Sequence, residues 1–187
     1  MTRFANSTIH QNVNESNATI YIRTVIGQKI GVSSTNSMSQ NDLKEAIANS
    51  FEIAKYQKDN EHFPGLQGPE DYPNIETYFE PTAKYSPKDR AREVKKVFVR
   101  ANKRKFLTAG SFATGEGEIA VFNSKGVRCH QALTTANLQI IAMSDTSSGY
   151  SVGLSRKVED IDAVALADVA VDKAFKSKKP KPLAAGD

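Results

Sequence analysis

Tryptophan is absent from this 187-residue chain, cysteine occurs once and histidine three times. The lone Cys129 excludes an internal disulfide and suits a reducing compartment. Aromatic residues are sparse, so a core must be assembled mostly from Val, Ile, Leu, Ala and Phe. No run approaches the roughly 18 apolar residues of a membrane span. The opening MTRFANSTIHQN lacks the apolar segment of a secretory signal. The expected location is the cytoplasm.

Patterned chemistry is missing as well. His10, His62 and His130 lie in no H-E-x-x-H or other two-ligand helical spacing. His10 and His130 could meet and share a metal, but paired hydrogen-bonded histidines are the simpler reading. Cys129 and His130 are strand neighbours facing opposite sides, which excludes a direct nucleophile–base couple. Cys129 then reads as a small buried hydrophobe. The run AGSFATGEGE lacks the G-K-[ST] ending of a phosphate loop and opens no helix, so it reads as a turn between paired strands. Formal charge is +4, with the excess in Lys88–Lys105 and Lys173–Lys181. The first stretch could track phosphates. Asp89 and Glu93 interrupt it, and the solvated face of an amphipathic helix explains it without a ligand. No catalytic, cofactor-binding or metal residue is assigned.

What is present is a doubled pattern. Residues 10–55 (HQNVNESNATIYIRTVIGQKIGVSSTNSMSQNDLKEAIANSFEIAK) superpose without a gap on residues 130–175 (HQALTTANLQIIAMSDTSSGYSVGLSRKVEDIDAVALADVAVDKAF). His10/His130, Gln11/Gln131, Asn17/Asn137, Ile20/Ile140, Val32/Val152, Asp42/Asp162 and Ala54/Ala174 are identical. In both copies strand-like alternation gives way to helical spacing at the same offset, which predicts a repeated strand–strand–helix unit.

In chain order, strands are expected at Ser7–Asn14, Ala18–Ile26 and Lys29–Ser34, the last two joined by a tight Gly27-Gln28 hairpin loop. Ser39 caps a helix to about Tyr56 whose apolar face is Leu43, Ile47 and Phe51, flanked by Ala46 and Ala54. Residues 57–85 hold Pro64, Pro69, Pro73 and Pro81, which deny them a regular ladder or helix. Their Phe63, Leu66, Tyr72, Ile75, Tyr78 and Phe79 predict a loop packed on the body with a mobile part. Ser86-Pro87-Lys88-Asp89 starts a helix to about Lys105. Short strands follow at Phe106–Phe112 and Glu118–Phe122, separated by the Thr114–Gly117 turn. A long strand region spans Val127–Met143, interrupted near Thr134-Thr135. Tyr150–Ser155 returns as a strand and Asp160–Lys176 forms the second repeat helix. Residues 177–187 read as a linker.

RFANSTIHQNV, the strand pair, GVSSTNSMSQNDLKEAIANSFEIAK and the later GSFATGEGEIAVFNSKG together resemble the N-terminal domain of the TldD/PmbA family, whose members carry the label modulator of DNA gyrase. The resemblance runs from about Arg3 to the tail. It implies a two-domain intracellular metallopeptidase acting on small unstructured peptides, as a homodimer or with a sister subunit. Zinc in active members is held by an H-E-x-x-x-H helix and a distant cysteine of the C-terminal domain. None of those residues exists here, so nothing catalytic carries over. The helix expected before Arg3 is missing, and the chain stops at AAGD where the family enters its C-terminal domain, so a piece of a longer protein is expected.

The expected fold is α+β, with antiparallel or mixed strands packed on helices. One domain spans 1–176: repeat 1 at about 7–56, the Pro-rich loop 57–85, a helix at 86–105 and repeat 2 at about 127–176. The expected function is a non-catalytic N-terminal domain contributing peptide cleft and dimer contacts, with no cofactor of its own. The alternatives are a stand-alone peptide- or nucleic-acid-binding module, or a non-functional remnant.

Overall fold

The computed structural model describes residues 1–179. The expected linker, 177–187, therefore lies outside the described residues from position 180 onward. The fold is α+β, and every strand pairing in it is antiparallel. It divides into two compact units, one of residues 1–14, 71–122 and 128–187, the other of 15–70 and 123–127.

The first unit is built on a five-stranded sheet. Strands β1 (Thr2–Ala5) and β2 (Thr8–Asn12) form a hairpin. Asn6 and Ser7 turn it with φ of 50° and 55°, the geometry two-residue hairpin loops need. The sequence gives no β1 and places Ser7 inside the following strand; four residues are too short for alternation to register. The other strands of the sheet are β5 (Leu107–Phe122), β6 (Arg128–Met143) and β7 (Ser148–Ser155), in the order β2-β1-β5-β6-β7. Thr114–Gly117 is not a turn. It continues β5, pairing in register with Leu133–Ala136. Nor is β6 broken at Thr134-Thr135: both residues stay in the ladder.

One face of this sheet carries Phe4, Phe112, Leu138, Ile140 and Ala142, all buried, against helices α3 (Pro87–Asn102) and α4 (Ala163–Lys176). Helix α3 starts where expected because Ser86 and Asp89 form a reciprocal capping box and Pro87 supplies a first helical residue needing no N–H partner. It sends Val94, Val97 and Ala101 into the core. Helix α4 is capped by Asp162, after a single 3-10 turn at Val158–Asp160.

Within the Pro-rich loop, α2 (Glu80–Ala83) is one helical turn with Thr82 buried. Ahead of it the chain runs beside β6: Thr134 N–H donates to Thr77 O at 2.9 Å and Thr77 Oγ donates to Ala132 O at 2.7 Å. This part of the loop satisfies its backbone by strapping a strand edge.

The second unit is smaller. Strands β3 (Ile20–Ile26) and β4 (Lys29–Thr35) pair across the expected Gly27-Gln28 loop, with Gly27 at φ 62°. Helix α1 (Gln40–Tyr56) packs on them after the Ser39 cap. The face it buries is Ala46, Ser50 and Ala54, which takes in the alanine flank of the expected face and leaves its centre, Leu43, Ile47 and Phe51, outside. Gly31 explains why. A Cβ there would overlap Ser50 O and Ala54 N, so helix and strand backbones lie too close for large side chains between them.

The two hairpin–helix units repeat this contact. Gly149 on β7 would overlap Ala170 O and Ala174 N if it carried a Cβ. Ser33 Oγ donates to Ala46 O at 2.5 Å, and Ser151 Oγ donates to Leu166 O at 2.7 Å. Gly31 and Gly149 lie 118 residues apart, as do Ser33 and Ser151, whereas Ser50 and Ala170, like Ala54 and Ala174, lie 120 apart. The gapless alignment thus fits the helices and sets the hairpins off by two residues. A slip of two keeps every side chain on its face, so alternation cannot reveal it.

Candidate functional site

Among the described residues of the first unit, no helix covers the second face of the five-stranded sheet. Alternation along β5, β6 and β7 places Leu107, Ile141, Tyr150, Val152 and Leu154 there, and all five are exposed. Asn137 lies on the same face, between Ala113 and Leu154 in register, and its Oδ1 is buried without a hydrogen-bond partner. At one end a hollow of about 570 Å³ is lined by Ile141, Met143, Ser144, Thr146, Ser147, Ser148 and Ser177. Its lining has hydroxyls and apolar groups but no acid, base or thiol. It can bind; it has no group to transfer a proton or attack a substrate.

The sequence-singled residues do not converge. His10 is exposed on the edge strand β2, which pairs with β1, while His130 lies in β6. The two are not equivalent and do not pair: His130 Nε2 instead meets Glu118 Oε2 at 3.2 Å on the exposed cross-strand ribbon. His62 is exposed in the Pro-rich loop. Cys129 is half-buried opposite Val121. Among the described residues no group of three or more His, Cys, Asp or Glu could hold a metal ion. His130 and Glu118 supply two donors with no third, and neighbouring Cys129 points to the other face of β6, so the zinc implied by the family does not fit here.

The basic helix is partly turned inward. Arg90 is buried and donates to Thr2 Oγ at 3.1 Å, Tyr85 O at 2.8 Å and Thr114 Oγ at 2.8 Å. It ties α3 to β1 and β5 with no carboxylate partner among the described residues, and burial pushes its pKa down. Of the other cations, Arg92 pairs with Asp89, Lys96 with Glu93, and Arg100 makes a two-pronged bridge to Asp168 of α4 at 2.6 and 2.7 Å. That bridge holds the Asp168 carboxyl below its usual range. Beyond the helix, Arg104 and Lys178 lie over the Phe175 ring at 5.3 and 5.8 Å, bringing the two basic stretches together. Nothing in the residues around Arg90 marks it as buried. The Phe175 cluster could have been sought by asking what lies near both helix C-termini, where cations are favoured.

These features define a class: an α+β scaffold with an open, partly apolar sheet face and, among the described residues, no group of three metal-ligating side chains. The family domain described as PmbA/TldA metallopeptidase domain 1 matches residues 1–54, and the PmbA/TldA metallopeptidase central domain matches residues 80–178. The chain belongs to this TldD/PmbA metallopeptidase family. Its fold is similar to that of a protein labelled a modulator of a DNA gyrase from Thermotoga maritima MSB8, at 18% identity and a TM-score of 0.82, over 99% of this chain and 43% of that one. It is similar to TldE from Thermococcus kodakarensis at 21% identity and a TM-score of 0.81, over 93% of this chain and 41% of that one. A protein labelled a modulator of DNA gyrase from Bacteroides thetaiotaomicron VPI-5482 matches at 16% identity with a TM-score of 0.76, covering 97% and 44% of the two chains. The chain thus spans about two fifths of the length of these solved relatives. Comparison with curated proteins returned no match. Among the described residues no helix is long and apolar enough to cross a membrane.

Proposed function

We propose that this chain is the non-catalytic N-terminal part of a TldD/PmbA-type metallopeptidase, acting in the cytoplasm on small unstructured peptides. In this reading residues 1–176 form one domain with an internal duplication and 177–187 a linker. The domain walls the peptide cleft and contributes contacts to a homodimer or sister subunit, and zinc is held by the C-terminal domain. The observation that carries the reading is the uncovered sheet face bearing Leu107, Ile141, Tyr150, Val152 and Leu154, in a chain of this family whose sequence contains no H-E-x-x-x-H. An exposed apolar patch of this kind marks an interaction site. Incubation of the chain with zinc and an unfolded peptide should give no cleavage; turnover abolished by a chelator would overturn the reading.

A second reading, nucleic-acid binding, draws support from Arg104 and Lys178 gathered around the exposed Phe175. It requires affinity for single-stranded DNA that falls with salt at a log–log slope of about −0.7 per phosphate contacted. A flat salt response removes it.

A further inference from the structure

The outer flank of α1 is the least explained surface of the molecule. Leu43, Ile47 and Phe51 recur every four residues along it, and Ile47 and Phe51 are 53% and 44% exposed. At the same helix offset, α4 carries Ala163, Ala167 and Val171, which are 2%, 0% and 4% exposed. The difference is that α3 packs against α4, tied to it by the Arg100–Asp168 bridge, whereas α1 is the one helix of its own unit among the described residues. The larger side chains therefore stand on the helix with no helical neighbour in its unit.

The second unit has a small core. Its buried hydrophobic residues are Ala46, Ala54 and Val127, and none belongs to the main core cluster. A two-stranded hairpin under a single helix buries little apolar surface.

The rim says what kind of cover fits. At about 100° per residue, Lys44 and Lys55 fall beside Phe51, while Asp42, Glu45 and Glu52 fall on the other sides of the helix. Lys55 Nζ lies 4.7 Å from the Phe51 ring centroid and also reaches Glu52 at 2.6 Å. Lys44 has no carboxylate partner among the described residues. The border of the stripe is thus positive. An antiparallel second copy of α1 would bring that border against itself, lysine to lysine.

We propose that the Leu43–Ile47–Phe51 face of α1 docks an amphipathic helix of another polypeptide, whose apolar stripe is bordered by Asp or Glu, in the manner in which α3 covers α4. Apolar anchors at i, i+4 and i+8 give the affinity, and the lysine border selects the sign of the partner.

The test uses the full chain and two synthetic helices of equal length with the same leucine stripe, one bordered by Glu and the other by Lys, followed by fluorescence anisotropy. The Glu-bordered helix should bind at least about tenfold tighter, as a few matched charge pairs give. Ile47→Asp should weaken it about tenfold or more with the circular dichroism spectrum unchanged, since this side chain is exposed. Lys44→Glu with Lys55→Glu should reverse the preference. Val99→Asp, at an exposed position of α3 in the other unit, should change nothing. Equal binding of both helices, insensitivity to Ile47→Asp, or self-association of the chain abolished by Ile47→Asp would overturn the proposal.

Discussion

The β3–β4–α1 and β6–β7–α4 units are solved by the same local rule and finished differently. In each, a strand glycine lets the helix backbone close in, a strand serine donates to a helix carbonyl, and small helix residues line the gap. What differs is the surroundings. The α4 unit sits in a sheet of five strands under α3, and its residues fill the main core. The α1 unit stands on two strands, and its buried interface is partly polar, with Thr24 and Ser50 hydroxyls 2.6 Å apart. The equivalent positions of the α4 unit are Ala142 and Ala170, both fully buried. A shared contact rule is therefore compatible with two levels of burial, and it is burial that sets stability.

The largest effects should come from breaking the shared rule. Gly149→Val forces a side chain into the α4 backbone and should cost about 3 kcal/mol or more. Gly31→Val should melt the α1 unit while leaving protection of the main core intact. Denaturant titration with hydrogen exchange distinguishes the two outcomes. Arg90→Ala acts on the first unit alone. It removes three hydrogen bonds from a buried site and should cost about 3 kcal/mol in the same titration.

A smaller effect sharpens the polar difference. Ser50→Ala strands the Thr24 hydroxyl and should cost about 1 kcal/mol, whereas Ser50→Ala with Thr24→Ala, which copies the alanine pair of the other unit, should be nearly neutral. A double-mutant cycle reads the coupling.

The smallest effect is electrostatic. The Asp168 pKa is lowered by its hydrogen bonds to Arg100, so the bridge stabilises the fold above the ordinary carboxylate range and is lost as pH falls through the depressed value. Both side chains are substantially exposed, which keeps the contribution small. Asp168→Asn should lower the neutral plateau of a stability–pH curve slightly and flatten that part of the acid limb, leaving the acid end unchanged.

Much of this fold is legible in the sequence where local chemistry decides it. Ser39, Ser86 and the Gly27-Gln28 loop announce their structures because capping and positive φ are properties of a few adjacent residues. The common pattern of residues 10–55 and 130–175 can be read because it rests on helix and strand periods. The errors fall where tertiary context decides. Glycines at 115 and 117 suggest a turn, yet they hold register with β6 throughout. The two-residue slip between hairpin and helix leaves a period-two pattern untouched. The apolar stripe of α1 was assigned inward because large hydrophobic residues usually face a core, while close approach at Gly31 reserves that side for Ala and Ser. Of the candidate site, the absence of an H-E-x-x-x-H motif could be read in the sequence. The open sheet face could not, since strand order depends on pairings distant in sequence.

The contrast between a covered and an uncovered helix can be tested with one pair of variants, Ala167→Asp and Ile47→Asp, compared by equilibrium denaturation. At matched helix positions, Ala167→Asp should lose about 3 kcal/mol or more by burying an unpaired carboxylate, and Ile47→Asp should stay within about 0.5 kcal/mol of the parent, as exposed substitutions do. Equal losses for the two would show that the outer face of α1 is packed as α4 is, and would contradict the account.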